Sequence, residues 1–502
     1  MSVLLLALGL AHADDAGLKA SLDHALATYP AALSLDEAPP MYHLRYHLVR
    51  YDSVSARASH GGLVYVDPRR SHRLGVEIRL GTPAFDNLGF GGWQDGIGQT
   101  GLPVTLTPHA LDVALWRLTD TSYKEAVEQF ARKEAQVPER PGHPGDYILT
   151  GPVTADTPVP EAAEAQPLAD LAERLSGAWR GVGLLDRGDV YVGHEVGRRW
   201  TVDTEGSDVR TAHQETTLRA AAHLRTPDGQ LISEQVLWTV TAPSRLPAEA
   251  DMAAAIDAAR TRLLAAGEAT ALDDEYVGPI LFEGSAATDL FTYLLPEQLE
   301  GTPAEIPFDT FFGDLGAARD PVRVGRRVLP PGWTVVDDPL VSDHPGGFTH
   351  DAEGTPAEAI ELVSDGIVRT LAMSRVPRPG LEQTNGHARG RMGRRPEAMV
   401  TMLSITPPKQ VSEAKLRKLA LKAARAYGRD WVYVVRHLQV PAVQNLSRGA
   451  GLMFFGGDEE QALPSPVALV KLHADGREEL VRGARFASVT RFALRDLLAA
   501  GP

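Results

Sequence analysis

Sixteen histidines and no cysteine set the chemistry open to this chain. Without a thiol it has no disulfide, iron–sulfur cluster, thiolate zinc site or cysteine nucleophile. In Ser342-Asp-His-Pro-Gly-Gly-Phe-Thr-His350, His344 and His350 could join Asp337 or Asp338 as three ligands to zinc. That spacing matches no standard site, and a Pro-Gly-Gly turn carrying exposed histidines accounts for the same residues. His194-Glu195 begins as a His-Glu-x-x-His zinc motif would, but Arg198 and Arg199 stand where the second imidazole is needed. What remains is a strand dipeptide. His213 and His223 fall on expected strands as surface residues. A basic face (Lys415, Arg417, Lys418, Lys422, Arg425, Arg429) and a basic loop (Arg389, Arg391, Arg394, Arg395) suit either an anionic partner or plain solvation. The sequence holds no Gly-x-Ser-x-Gly elbow, Walker loop or dinucleotide fingerprint.

The elements that must position these residues alternate between two periods. Ala16–Tyr29 has helical spacing. Met41–Arg50, Ser53–Ser59, Leu63–Pro68 and Arg73–Leu80 alternate apolar with polar residues, the period of strands with one buried face. Phe85–Gly101 reads as a loop, and Pro108–Ala135 returns to helical spacing. Residues 137–167 are dense in Pro, Gly, Ala and Glu and read as a linker. Leu168–Leu175 then opens a helix, Val190–Val240 is strand-rich, and Ala248–Ala266 is helical. A last strong helix is expected over Ser412–Tyr427, capped by Ser412, with Leu416, Leu419, Ala420, Ala423 and Tyr427 as its apolar stripe. The fold class expected is α+β. An N-terminal α+β domain (14–136) precedes the linker and a larger strand-rich domain (168–502), barrel-like or built on antiparallel sheet.

Composition narrows the partners. The net charge is −15, from 50 Lys and Arg against 65 Asp and Glu. Such a chain repels polyphosphates, so no nucleic-acid partner is expected. Val3–Ala11 is an apolar run too short to span a bilayer, and Ala11-His-Ala13 has the form of a signal-peptidase site. Residues 1–13 thus read as a signal peptide of an exported protein, although no Lys or Arg precedes the run. No integral membrane segment is expected.

Resemblance to a known family takes the reading further. Gly325-Arg-Arg-Val-Leu-Pro-Pro-Gly-Trp-Thr-Val-Val-Asp-Asp338, Pro345-Gly-Gly-Phe348, Asp351-Ala-Glu-Gly-Thr-Pro356 and Ile360–Leu371 resemble, in order and spacing, the C-terminal domain of the TldD/TldE (PmbA) family. Thr384–Arg389 is similar to that family's Asn-rich loop, Ala398–Ser404 to its next strand and Val481–Phe486 to a closing strand. The resemblance implies a peptidase complex. Its TldD-type subunit binds zinc through a His-Glu-x-x-x-His motif and a later cysteine, and its TldE-type subunit lacks those ligands. In this chain Phe282 and Ala287 stand at the two histidine positions and Glu283 at the glutamate position. The resemblance therefore implies a TldE-like subunit that takes no cofactor and acts on unstructured peptides beside a zinc-bearing TldD-like partner, or as a dimer with itself. Gly346, Gly347, Phe348 and Asn385 are the implied peptide-binding residues. A metallopeptidase with a relocated site at His344 and His350, or a stand-alone peptide-binding protein, remain the alternatives.

Overall fold

The computed structural model describes residues 15–91, 96–137, 143–182, 185–272, 275–303, 305–306, 324–390, 393–438, 463–467, 469–487 and 489–502. The expected signal peptide, 1–13, lies outside them. Alternation in the first half is realised in strands longer than their sequence breaks suggest. Met41–Ser59 is one strand, β1, and Gly62–Thr82 is one strand, β2. The ladder runs unbroken through Asp52, which faces Arg70 on one side and Val196 on the other. The presumed loop at 85–101 supplies β3 (Phe85–Asp86) and the start of β4 (Ile97–Leu102).

Beyond residue 137 follow β5 (Thr154–Asp156), β6 (Leu185–Asp203), β7 (Asp208–Arg225) and β8 (Leu231–Val240). Among the described residues these make one eight-stranded, mainly antiparallel sheet in the order β3-β2-β1-β6-β7-β5, with β4 on β2 and β8 on β7. Strands on both sides of residues 137–167 therefore share a sheet, and β5, within that segment, forms one of its edges.

A strand of 19 residues spans roughly 60 Å, so the sheet carries two separate cores on its even-numbered face. At one end Leu44, Tyr46 and Leu48 of β1 and Leu74, Val76, Ile78 and Leu80 of β2 pack beneath α1 (Asp15–Ala32) and α2 (Pro108–Gln136). Thr107 caps α2, accepting from the Ala110 amide, and Pro108 sits at its start. At the other end Val54, Ala56 and Ala58 meet Leu168, Ala172 and Leu175 of α3 (Ala165–Ser176) and Met252, Ile256 and Leu263 of α4 (Glu249–Glu268).

The remaining chain builds smaller sheets from β9 (Thr270–Ala271), β10 (Ile280–Phe282), α5 (Ser285–Leu294), β11 (Thr334–Asp337), β12 (Ile360–Ser364), β13 (Ile367–Val368), β14 (Ala388–Arg389), β15 (Glu397–Ala398), β16 (Leu403–Thr406), α6 (Glu413–Arg425), β17 (Trp431–Val435), β18 (Leu469–His473) and β19 (Glu478–Arg482). Their orders are β10-β17-β18-β19-β9, β13-β12-β11-β16 and β14-β15. The α+β class holds, but the barrel-like form does not. Among the described residues each sheet is open, and the edge strands β9 and β10 are too short, at two and three residues, to carry a ladder round to closure. Helix α6 also departs from its expected stripe. It ends at Arg425, its sheet-facing residues are Leu416, Ala420, Leu421 and Ala424, and Tyr427 lies past its end, 59% exposed.

Candidate functional site

The odd-numbered face of β1, β2 and β6 carries charge, and the C-terminal half buries it. Arg45 stands directly between Glu77 on β2 and Asp203 on β6. Its Nη1 donates to Glu77 Oε2 at 3.1 Å, and Arg79 Nε donates to Glu77 Oε1 at 2.6 Å and Nη1 to Asp86 Oδ2 at 2.8 Å. Tyr147 accepts from Arg45 through its hydroxyl, and the Arg79 guanidinium lies 3.5 Å from its ring centroid. From the C-terminal half Arg375 donates to Glu205 and, through Nε, to Ile148 O at 2.7 Å, while its amide donates to Glu353 Oε2 at 2.7 Å. Burial opposes charge on Glu77, yet Arg79 and Arg45 outweigh it and hold the carboxyl well below its ordinary range. Burial likewise opposes charge on Glu205, and His43 and Arg375 overcome it. At His43 burial prevails over the bond to Glu205 and pushes the imidazole down to about 4, so it is neutral at pH 7.

Where this face emerges from beneath the C-terminal half there is a pocket with an empty volume of about 370 Å³, open mouth included. His47, Glu77 and Arg199 line it from the sheet, and Ala352, Gly390, Gly393, Arg394 and Pro396 from the other side. His47 shares a 3.0 Å hydrogen bond with Thr201, and burial followed by the charges of Arg199 and Arg45 keeps it neutral.

The expected peptide-binding residues Gly346, Gly347, Phe348 and Asn385 are not among those lining this pocket. Phe348 lies beneath the Arg389 guanidinium, 4.5 Å from ring centroid to carbon, and edge-on to buried His387. Gly346 and Gly347 are glycines for reasons of space. A Cβ on Gly347 would lie 1.9 Å from the Val341 carbonyl oxygen, and one on Gly346 would lie 2.9 Å from Met402 Sδ. Asn385 uses both ends of its amide within the chain, accepting from the Met373 amide at 2.7 Å and donating to Leu371 O at 2.9 Å. His344 accepts from the Gly346 amide through Nδ1, and His350 Nδ1 meets the Thr349 hydroxyl. His194 is a strand residue, buried and bonded to Thr216.

Glu283 sits elsewhere, between β10 and α5. Arg417 of α6 donates to both its oxygens (2.9 and 3.1 Å) and Arg436 donates to Oε2 at 3.0 Å. Glu478 closes the ring, accepting from Arg417 at 3.1 Å and Arg436 at 2.7 Å. Phe282, one residue earlier, is on a strand and stacks on Phe486.

Residues 275–443 match the family model of the PmbA/TldA metallopeptidase C-terminal domain. Over these residues the chain is similar to that family's C-terminal domain. No curated protein matches it in sequence. Solved structures share the fold at low identity. A candidate modulator of a DNA gyrase from Thermotoga maritima is 14% identical with a TM-score of 0.60, covering 96% of this chain and 95% of its own. TldE from Thermococcus kodakarensis is 13% identical with a TM-score of 0.53, over 88% of this chain and 87% of its own. A candidate gyrase modulator from Bacteroides thetaiotaomicron is 11% identical with a TM-score of 0.53, over 92% and 91%.

The residues that the resemblance sets at the zinc positions do not fit the metal. Phe282 and Ala287 have no donor atom, the chain has no cysteine, and both oxygens of Glu283 are taken by guanidinium groups. Among the described residues one group of three potential ligands lies within 4.8 Å: His43, Asp203 and Glu205. Arg375 already bonds Glu205, and Arg45 and Arg375 each approach Asp203 to 3.9 Å, so cationic charge already meets these carboxylates. Sequence reasoning passed over His43, Arg45, Glu77 and Arg79 because alternation assigned them to a solvated face. A usable signal was present: His-x-Arg-x-His at 43–47 and Glu-x-Arg at 77–79 carry complementary charges at a period of two, as cross-strand pairs require.

Proposed function

We propose that this chain is a non-catalytic, TldE-like subunit of a peptidase complex that handles unstructured peptides, working beside a zinc-bearing TldD-type partner. The observation that carries this reading is the state of Glu283. A general base needs a lone pair aimed at a water or a substrate proton, and here two arginines occupy both oxygens. Peptide hydrolysis in the family rests on a metal that polarises the carbonyl and activates water, and Phe282 and Ala287 offer that metal nothing. What this chain contributes is a surface. The pocket between the large sheet and residues 352–396 is lined partly by glycine, which lets another backbone approach closely.

The test is reconstitution. The purified chain is expected to hold no stoichiometric zinc and to leave an unfolded peptide intact, and a TldD-type partner is expected to bring cleavage. One tightly bound zinc per lone chain, with chelator-sensitive cleavage, would overturn the reading. We also propose that the protein is exported, on the Val3–Ala11 run and the Ala-His-Ala pattern. Protein from its own host should then begin at Asp14, and an intact Met1 would rule export out.

A further inference from the structure

We propose that the outward face of helix α6 is a docking surface for an acidic segment of another polypeptide. The proposal is independent of the pocket. Leu416, Ala420, Leu421 and Ala424 turn toward the sheet of β10, β17 and β18, while Lys415, Lys418, Lys422 and Arg425 are exposed. At about 100° per residue these cations fall within an arc of roughly 80°, opposite the sheet-facing side. Their spacing of three, four and three residues makes each the neighbour of the next. Among the described residues Arg417 alone of the α6 cations meets carboxylates, those of Glu283 and Glu478. Arg436 shares both of these acids, so neither is left for the outward face.

Solvation alone accounts poorly for this face. Other helices pair exposed cations along their own length: Lys19 with Asp23 on α1, Lys124 with Asp120 and Arg132 with Glu128 on α2, and Arg260 with Asp257 on α4. On α6 like charges are adjacent instead, and such pairs repel. The helix dipole favours Lys422 and Arg425 in the last turn but disfavours Lys415 in the first. Acids outnumber bases by 65 to 50 in the chain, so a purely cationic face also runs against its composition. An anionic surface laid on α6 relieves the repulsion. The net charge of −15 sets the rest of the molecule against a polyphosphate. A membrane-surface helix buries its apolar face in lipid, and that face of α6 is already packed on the sheet. An acidic chain segment needs only to lie along the helix. Lys415 to Arg425 spans about 15 Å, which an extended segment covers in about five residues.

The experiment measures fluorescence anisotropy of two labelled, unstructured peptides on the intact chain, identical except for a run of six Glu or six Gln. At low salt the Glu peptide should bind roughly tenfold tighter or more, and the advantage should fade as salt rises. Lys418→Glu combined with Lys422→Glu should abolish the preference. Lys124→Glu combined with Arg132→Glu, at exposed cations of α2, makes the same change in net charge and should keep it. Lys418→Gln with Lys422→Gln removes charge without reversing it and should lose most of the preference, which keeps the test open if the Glu variant folds poorly. Equal binding of the two peptides overturns the proposal, as does a loss in the α2 control as full as that in the α6 variants. It is also overturned if single-stranded DNA or phosphatidylserine vesicles bind more tightly than the Glu peptide and lose that binding in the α6 variants.

Discussion

At Glu283, two guanidinium groups within 3.1 Å fix the carboxylate on both oxygens, and Glu478 shares the same pair of arginines. Glu283 is thus one corner of an ionic ring that ties α6 and the end of β17 to the start of α5. The ring is partly exposed, so solvent screens it, and each pair contributes little. Glu283→Gln should lower stability by about 1 kcal/mol in urea unfolding and leave partner-dependent peptide cleavage unchanged. A loss of cleavage larger than tenfold with the fold intact would give Glu283 the chemical role that its bonds deny it. The family resemblance singles out Glu283 in the sequence. Its arginines are not singled out: Arg417 and Arg436 lie 134 and 153 residues away, and nothing local marks them as its partners.

Elements were legible where one face alone is buried. Helix α2 buries Leu111, Leu115, Tyr123 and Ala126 at the spacing its sequence shows. Leu115→Ala should cost about 2–5 kcal/mol, read as a shift in denaturation midpoint, because its site is fully enclosed. Helix α6 is the contrast. Its small sheet meets it through Ala420 and Ala424, and Tyr427 is left in solvent beyond the helix end. Tyr427→Ala should move stability by no more than about 0.5 kcal/mol. The sequence could not show this, since a tyrosine at helical spacing fits the stripe until the chain turns. The 344–348 turn is different again. Its glycines look like flexible punctuation, but Gly347 is packed against the Val341 carbonyl. Gly347→Ala should destabilise by about 1–3 kcal/mol, read as a shift in the urea midpoint.

On the scale of the whole molecule, the two halves meet across buried charge, and such an interface responds to protons. His43 is pushed down to about 4 by burial, whereas in the unfolded chain a histidine titrates near 6.5. Between those values the unfolded state binds the additional proton, so stability rises with pH and falls as pH drops from about 6.5 to 4. The contribution of His43 is roughly 3 kcal/mol across that window. Glu77 and Glu205, both held low, act with the same sign: their stabilisation is complete above about 4.3 and is lost as pH falls below it. Asp351 opposes them. Burial and then Glu353 push it up to about 7, so it favours folding at lower pH over the range in which His43 disfavours it. The total slope therefore mixes signs, and a difference between two proteins isolates one group. His43→Gln keeps a polar side chain of similar reach and removes the titration. Urea midpoints of the two proteins, measured from pH 7.5 to 4, should converge as pH falls, because only the wild type loses the histidine contribution. Parallel curves would mean that His43 takes up its proton in the folded state as readily as in the unfolded one, and that Glu205 rather than burial governs it.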